Sequence, residues 1–210
     1  MIKSTYAVFK NAEERTLIYY PCPKNGNTSA KLFLAKHLGV EDKFEFLGDK
    51  IPNHQLQQSD RKKRDIVGLL PTKQRFSLMK ADLKCCIIRD PIERFISCYK
   101  NRILYHRDKE FRDYDVDKVL TNLENDRFYN THFLPQTWFL GNDLNYYNFY
   151  CDLKNIHIFE KNINIFFGKE IKFPKLQTGG DSSTIELNSN QIKRIKKIYY
   201  KDYIFLNSNK

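Results

Sequence analysis

Residues 15–39 read RTLIYYPCPKNGNTSAKLFLAKHLG and contain three segments of different character. The first, 15–21, is β-branched and aromatic, which is typical of a buried strand. A polar turn that contains proline, asparagine and glycine follows it. Apolar residues then recur at helical spacing, at Ala30, Phe33, Leu34 and Leu38, and Gly39 provides a helix stop. The stretch therefore predicts a strand, a polar loop and a helix.

The polar turn has the composition of an anion site. A glycine between two asparagines permits the positive φ angles that direct successive backbone amides into one concavity. Hydroxyls at the start of the helix lie where the helix dipole favours negative charge, and a lysine adds a full positive charge. The candidate ligands are Lys24, Asn25, Gly26, Asn27, Thr28 and Ser29. Taken alone, the turn is more simply explained as an ordinary strand-to-helix connection, because short loops of glycine and asparagine before helices are common. Its lysine also precedes the glycine, whereas a P-loop lysine follows it.

A second unit of the same kind occupies LKCCIIRDPIERFISCYKNRI, residues 83–103. The apolar CCII is a short buried strand. Asp90 is a suitable helix N-cap, Pro91 suits the first helical position, and Glu93 completes a capping box. The pattern predicts a second strand, turn and helix.

Two residues of this unit are suited to bind a second phosphate. Arg89 leaves the end of the strand, and Ser97 lies in the following helix on the face away from the core, together with Arg94. A guanidinium fork and a hydroxyl so placed favour a phosphate ligand. The alternative is that Arg89 pairs with Asp90 or Glu93 and that Ser97 is a surface serine.

Strands and helices alternate along the rest of the chain. Further predicted strands are 43–48 and 155–161, and predicted helical segments are 115–126, 131–140 and 187–205. Alternation of this kind predicts an α/β fold with a central parallel β-sheet and helices on both faces. No internal repeat or low-complexity linker appears, so we expect a single domain over 1–210. Ligands bind such sheets at the carboxyl ends of the strands, and two anion sites there favour a nucleotide with phosphates at both ends.

The composition is globular and basic. It is 41% hydrophobic and 29% charged, which excludes disordered and fibrous classes. The 36 Lys and Arg residues outnumber the 25 Asp and Glu residues, for a net charge of +11. That charge favours an anionic partner such as nucleic acid, an anionic glycan, a membrane surface or a phosphorylated nucleotide. Solubility alone is the alternative explanation.

The cysteines and the N-terminus favour a soluble cytoplasmic protein. Five cysteines, two of them adjacent in an apolar run, do not have the pattern of a disulfide framework. No CxxC pair indicates zinc. The N-terminus has no apolar h-region, and no stretch approaches the length of a membrane span.

Both turns resemble the nucleotide-binding motifs of sulfotransferases. YYPCPKNGNTS (19–29) is similar to their 5′-phosphosulfate loop, a strand followed by P-K-x-G-x-[TS]. IIRDPIERFISCY (87–99) is similar to their 3′-phosphate segment, and its R-D-P-[IF]-E-R form most resembles the carbohydrate sulfotransferases of the sulfotransferase-2 family. Three further stretches resemble later elements of that family: THFLPQTWFL (131–140, an H-x-x-P-Q element), IHIFEK (156–161) and IKKIYYKDYIFL (195–206).

The resemblance implies a P-loop-like three-layer domain that uses 3′-phosphoadenylyl sulfate (PAPS) as the sulfuryl donor and releases adenosine 3′,5′-bisphosphate (PAP). It implies that Lys24 binds the bridging oxygen or the 5′-phosphate and stabilises charge on the leaving group. The other residues of the first turn surround the same phosphate, although Asn27 stands where many members carry Thr or Cys. Arg89 and Ser97 hold the 3′-phosphate. No metal is needed, which accounts for the missing Walker-type Lys-Ser/Thr pair.

The catalytic base is less well defined by the sequence. A hydroxyl acceptor must lose a proton as it attacks sulfur, and His or Glu is suited to take it. His54 is the first candidate, because bases of the family often lie between the two nucleotide motifs. Glu45 and Asp60 are rivals in the same segment, and His132 of the H-x-x-P-Q element is the alternative. The loop 176–183 is either a cover over the 3′-phosphate or a surface turn.

Two other functional classes compete with a sulfotransferase. A non-enzymatic nucleic-acid- or polyanion-binding protein would use the charge and the aromatic residues, but the basic residues are spread along the chain and no RRM, KH or helix-turn-helix signature appears. A P-loop kinase would require a GK[ST] motif that this sequence lacks. The family resemblance favours a sugar hydroxyl as the acceptor and leaves a small alcohol, a phenol or a peptide tyrosine open. The sequence does not specify the oligomeric state.

Overall fold

The structure of the protein is a computed structural model that describes residues 5–39, 46–47, 51–52, 68–71, 81–111, 113–125, 130–176 and 183–208. Its strands are Thr5–Lys10 (β1), Thr16–Tyr20 (β2), Phe46–Leu47 (β3), Ile51–Pro52 (β4), Gly68–Pro71 (β5), Leu83–Ile88 (β6) and Phe149–Asp152 (β7). Its α-helices are Asn27–Leu38 (α1), Pro91–Tyr99 (α2), Val116–Glu124 (α3), Gln136–Leu140 (α4), Ile156–Phe167 (α5), Ser189–Ile198 (α6) and Tyr200–Asn207 (α7).

The main sheet has five strands in the order β5–β1–β2–β6–β7. β2, β6 and β7 are parallel neighbours, which confirms the predicted parallel sheet at its centre. β1 is antiparallel to β2, because a short hairpin joins the two strands. β1 also pairs with β5 in antiparallel orientation. The described part of the strand predicted at 43–48 is β3, which pairs with β4 in a separate two-stranded sheet.

Helices cover both faces of the main sheet. Leu17 and Tyr19 of β2 belong to a buried core that includes side chains of α1 and α5. Ile18 and Tyr20 alternate with them along the strand and belong to a second core, with side chains of α4 and α7. Because successive strand residues point to opposite faces, the predicted three-layer α/β arrangement is confirmed.

A third core lies among α2, α3 and α6. Phe95 and Tyr99 of α2, Val119 and Leu120 of α3, and Ile195 of α6 are all buried in it. Full burial of such side chains contributes about 1.5–3 kcal/mol each. This core fixes the helix that follows the second polar turn.

The N-cap and the first residue of α2 are formed as the sequence predicts. The side chain of Asp90 accepts hydrogen bonds from the backbone amides of Ile92 and Glu93, and Pro91 is the first helical residue. The predicted capping box is wrong, because the carboxylate of Glu93 forms ion pairs with Lys154 and, at 4.0 Å, with Arg89 instead of bonding the backbone of Asp90.

The strand predicted at 155–161 is wrong, because these residues form a 3₁₀ turn and the first half of α5. The short window NIHI (155–158) alternates polar and apolar residues as a strand does. The buried residues Phe159, Ile163 and Phe166, however, follow one another at helical spacing, and Gly168 with φ 62° ends the helix. The strand of this region is β7, directly before it.

The remaining helical predictions are confirmed in part. α3 matches the segment predicted at 115–126. The segment 131–140 contains a 3₁₀ turn, Thr131–Phe133, and then α4. The tail predicted as one helix is two helices, α6 and α7, because the backbone of Tyr199 leaves the helical region at φ −99° and ψ 26°.

Candidate active site

The two polar turns lie next to each other at one edge of the sheet. β2 and β6 are parallel neighbours, and Tyr20 lies opposite Cys86 near their carboxyl ends. The first turn leaves β2 and Arg89 leaves β6, so both emerge at this edge. Nη1 of Arg89 donates a hydrogen bond of 2.9 Å to the backbone oxygen of Lys24. The structure therefore brings together the two turns that were predicted to bind phosphate.

The first turn requires glycine at position 26. Gly26 has φ 71° and precedes the first residue of α1. A Cβ atom placed on it would lie 2.7 Å from Cδ1 of Leu153, a distance that real Cβ atoms essentially never show. No side chain caps the start of α1, so its first amides are left for another acceptor.

Lys24 also has a left-handed backbone, with φ 69°. Such a conformation in a residue other than glycine costs about 1–3 kcal/mol and is concentrated at functional sites. The sequence predicted positive φ angles in the Asn25-Gly26-Asn27 segment, and the structure has them at Gly26 and Lys24.

Asn25 is fully buried and ties the first turn to β6. Its Nδ2 donates to the backbone oxygen of Ile87 and to Oε1 of Gln136, both at 2.7 Å. Oδ1 of Asn25 and Oδ1 of Asn27 are buried without a hydrogen-bond partner among the described contacts. The side chain of Asn25 thus fixes the backbone of the turn.

Gln136 joins the two turns and was not identified from the sequence. Its Oε1 accepts hydrogen bonds from Asn25 and from the backbone amide of Arg89, and its Nε2 donates to the backbone oxygen of Arg89. Its own backbone amide donates to the buried carboxylate of Asp202 on α7. The only sequence signal for this role was its place in the H-x-x-P-Q element.

Arg94 is a second residue whose role the sequence did not indicate. It was assigned to the polar face of α2, but only 1% of its surface is exposed. Its Nε donates to the backbone oxygen of Pro23, and its Nη2 donates to the backbone oxygen of His132. One guanidinium therefore holds the residue before Lys24 and the H-x-x-P-Q element together.

Positive charge is concentrated around the two turns. Burial lowers the pKa of Lys24 to about 8, and the charges of Arg89, Arg102 and Arg94 act in the same direction. Burial also lowers the pKa of Arg89 below its usual value. Cations held this close together repel one another, so the arrangement favours a bound anion.

The ring of His132 lies in the same electrostatic environment. Burial lowers the pKa of His132 to about 4, and the charges of Arg102, Lys24 and Arg94 lower it as well. Its Nδ1 is 2.9 Å from Oδ1 of Asn130. Of the base candidates, the structure brings His132 to the charged site, whereas His54, Glu45 and Asp60 lie outside the described residues.

The hydroxyl residues of the prediction have different surroundings. Ser29 is buried, and its Oγ exchanges hydrogen bonds with the backbone of Leu176, the last described residue before 177–182. Thr28 lies partly exposed in the first turn of α1, and Ser97 lies partly exposed in α2. Most of the loop predicted to cover the 3′-phosphate, 177–182, lies outside the described residues.

Other features of the described residues bear on the class of protein. The five cysteines are buried and unpaired. In the ranges that the structure describes, no helix is long and apolar enough to cross the bilayer. Within the same ranges, no group of three or more His, Cys, Asp or Glu side chains could hold a metal ion.

Comparison with known proteins gives one match. The sequence model of the sulfotransferase family matches residues 8–207, nearly the whole chain. No curated protein and no solved structure matches the chain significantly. The match covers both polar turns, α4 and the closing helices α6 and α7. The chain belongs to the sulfotransferase family.

Proposed function

We propose that the protein transfers a sulfuryl group from PAPS to an acceptor hydroxyl. The observation that carries the proposal is the direct contact between the two anion-binding turns, in which Arg89 hydrogen-bonds the backbone of Lys24. A donor with phosphates at both ends of its nucleotide fits two adjacent anion sites, whereas a single phosphate would use one of them.

The 5′ end of the donor is assigned to the first turn. The uncapped amides of α1, together with Thr28, Gly26 and Asn27, surround the 5′-phosphosulfate, and Lys24 neutralises its charge. Asn25 and Ser29 hold the shape of this turn through Gln136 and Leu176. The 3′-phosphate is assigned to Arg89 and Ser97.

The reaction is an in-line attack on sulfur that needs no metal. The acceptor oxygen forms a bond to sulfur while the bond from sulfur to the bridging oxygen breaks, and PAP leaves. Lys24 stabilises the negative charge that develops on the leaving 5′-phosphate, a preorganised electrostatic contribution. The acceptor proton passes to a base, for which His132 and His54 are the candidates.

The acceptor is proposed to be a hydroxyl of an anionic glycan. Exposed lysines follow one another along α6 and the start of α7, at Lys193, Lys196, Lys197 and Lys201. Such a surface attracts a polyanionic chain toward the protein. The free, buried cysteines favour a reducing compartment, so we propose a cytoplasmic location, which fractionation of cells that express the tagged chain would test.

Calorimetric titration with PAP tests the two-site assignment. We expect PAP to bind more tightly than adenosine 5′-monophosphate, because PAP occupies both turns. Arg89→Ala should remove most of that difference, and Lys193→Ala, which removes an exposed charge on α6, should leave it intact. Equal binding of the two nucleotides, or binding of PAP that is unchanged in Arg89→Ala, would refute the assignment. Tight, strongly salt-dependent binding of long polyanions without preference for PAP would favour the polyanion-binding alternative instead.

A further inference from the structure

The side chain of Asn130 fixes the ring of His132. Oδ1 of Asn130 accepts the backbone amide of His132 at 3.0 Å and lies 2.9 Å from Nδ1 of the ring. Nδ2 of Asn130 faces Oδ2 of Asp108 at 3.5 Å. A carboxylate can only accept, so the amide group of Asn130 must point toward Asp108 and its oxygen toward His132. An amide oxygen likewise only accepts, so Nδ1 carries the ring proton and Nε2 keeps a lone pair.

Asp108 is itself held in place. Nε of Arg102 donates a hydrogen bond to Oδ2 of Asp108, and Nη2 of Arg102 donates one to Oδ1, both at 2.7 Å. Paired bonds of this kind are directional and strong. Arg102 lies in the π-helical segment Lys100–Tyr105, which continues α2, and such segments are frequent at functional sites. The contacts therefore run from Arg102 to Asp108, from Asp108 to Asn130, and from Asn130 to the ring of His132.

The same histidine is attached to the donor site through its backbone. Arg94 donates one hydrogen bond to the oxygen of Pro23 and another to the oxygen of His132. The thiol of Cys98 also donates to the oxygen of His132, at 2.9 Å. His132 is thus held next to the turn that carries Lys24, while its ring is oriented separately by Asn130.

From this geometry we propose that His132 is the catalytic base and that Asn130 and Asp108 are its positioning residues. The assignment rests on the sulfuryl transfer proposed above. As the acceptor oxygen bonds to sulfur, its proton passes to Nε2 of His132, and PAP leaves with the electrons of the bond between sulfur and the bridging oxygen. The imidazolium then returns the proton to solvent. Of the two histidines considered as the base, the proposal therefore retains His132 and not His54.

The charges around the ring make the pKa of His132 depend on whether PAPS is bound. Arg102, Lys24 and Arg94 face His132 and disfavour its imidazolium, and Asp108 is the facing group that acts in the opposite direction. The phosphates of PAPS neutralise the same cations, so the pKa of His132 rises when the donor binds. His132 therefore binds the acceptor's proton more tightly when PAPS is bound and able to react.

Ring-¹⁵N nuclear magnetic resonance of the free protein tests the orientation without an activity assay. His132→Gln assigns the signal and leaves the contacts of Arg94 and Cys98, because these use the backbone oxygen. We expect the tautomer protonated at Nδ1.

Asn130→Asp should raise the pKa of His132, and Asp108→Asn should lower it, each by on the order of one unit. The exposed controls Asn190→Asp and Asp113→Asn should leave it unchanged. A ring protonated at Nε2, or a pKa that moves in neither variant, would overturn the positioning role.

Kinetics with ³⁵S-labelled PAPS test the catalytic role, with desulfated chondroitin, desulfated heparin and 4-nitrophenol as acceptors. His132→Gln should lower kcat by about 10²–10⁴, and the acid limb of the kcat profile should move to higher pH in Asn130→Asp and to lower pH in Asp108→Asn. If PAP binds and His132→Gln keeps kcat within a factor of about two, the base assignment fails and the proposed function stands. If wild-type protein neither binds PAP nor transfers label, both fail.

Discussion

Arg89 donates a hydrogen bond of 2.9 Å from its guanidinium to the backbone oxygen of Lys24, 65 residues earlier in the chain. The residue assigned to the 3′-phosphate thus also supports the turn assigned to the 5′-phosphosulfate. Loss of either phosphate contact is therefore expected to disturb the other.

Gly26→Ala should destabilise the protein more than Gly39→Ala. Both glycines have left-handed φ angles, 71° and 66°, which cost a side chain about 1–2 kcal/mol. Only at Gly26 would the new Cβ also meet Leu153, whereas the space around Gly39 is open. Urea denaturation measures the difference between the two variants.

Leu153→Ala in the Gly26→Ala background tests the cause. Leu153 also packs against the core, so Leu153→Ala is destabilising by itself. We expect Gly26→Ala to cost less stability in the Leu153→Ala background than in wild type, because the atom that the new Cβ meets is gone. Equal losses in Gly26→Ala and Gly39→Ala would contradict the close approach.

Gln136→Leu should lower the free energy of unfolding by about 3 kcal/mol. The change keeps the volume but leaves one N–H of the Asn25 amide and both backbone groups of Arg89 without a partner, while Nδ2 of Asn25 keeps its bond to the oxygen of Ile87. Each buried unpaired group costs about 1–3 kcal/mol. Urea denaturation measures the loss, and titration with PAP should show weaker binding. Asn190→Leu, on an exposed position of α6, is the control. Wild-type stability in Gln136→Leu would show that the contacts contribute nothing.

Arg94→Lys should destabilise the protein by about 1–3 kcal/mol although it keeps the charge. A lysine ammonium lacks the planar fork that reaches the oxygens of Pro23 and His132 together, so one of the two carbonyls loses its charged donor. Arg107→Lys, at an exposed position, is the matched control and should be neutral. Thermal or urea unfolding would decide, and equal stabilities of the two variants would argue against a role for the fork.

The affinity for PAP should fall as the pH rises above about 8. The pKa of Lys24 is lowered to about 8, so the charged form that attracts phosphate is present below this pH and lost above it. The fall is limited to about tenfold per pH unit, as for one proton. Binding near pH 8 should therefore take up a proton, which calorimetry in buffers of different ionisation enthalpy detects.

Lys24→Arg separates the loss of charge at position 24 from other effects of pH on the affinity for PAP. Arginine stays protonated across this range, so the variant should bind PAP with little dependence on pH above 8. Lys24→Met should bind weakly at every pH. If the affinity for PAP falls above pH 8 in either variant as it does in wild type, another titrating group causes the fall.

The local parts of the fold could be predicted from the sequence. The two units of strand, turn and helix are encoded by contiguous signals: apolar runs, the Asp90–Pro91 helix start and the stop at Gly39. α5 was mistaken for a strand because its first three residues, IHI, alternate apolar and polar, and only the later residues Ile163 and Phe166 reveal the helical period.

The residues that assemble the site could not be predicted in the same way. Gln136 contacts Asn25 across 111 positions, and Arg94 contacts Pro23 across 71. Contacts at such separation depend on the packing of the sheet edge and leave no local pattern. Arg94 in particular lies on the polar face of an amphipathic helix, and its burial follows from the turn that covers it.

The most direct test of the account is a single-turnover reaction with ³⁵S-labelled PAPS, in wild-type protein and in Lys24→Ala. The label is followed to water and to the three acceptors named above. We expect Lys24→Ala to lower the rate of sulfuryl transfer by about 10²–10³, as when a preorganised charge is removed from a leaving group. Lys161→Ala, which removes an exposed charge on α5, should keep the wild-type rate. Transfer in Lys24→Ala within a factor of about two of wild type, or no transfer by wild type to any acceptor or to water, would contradict the account.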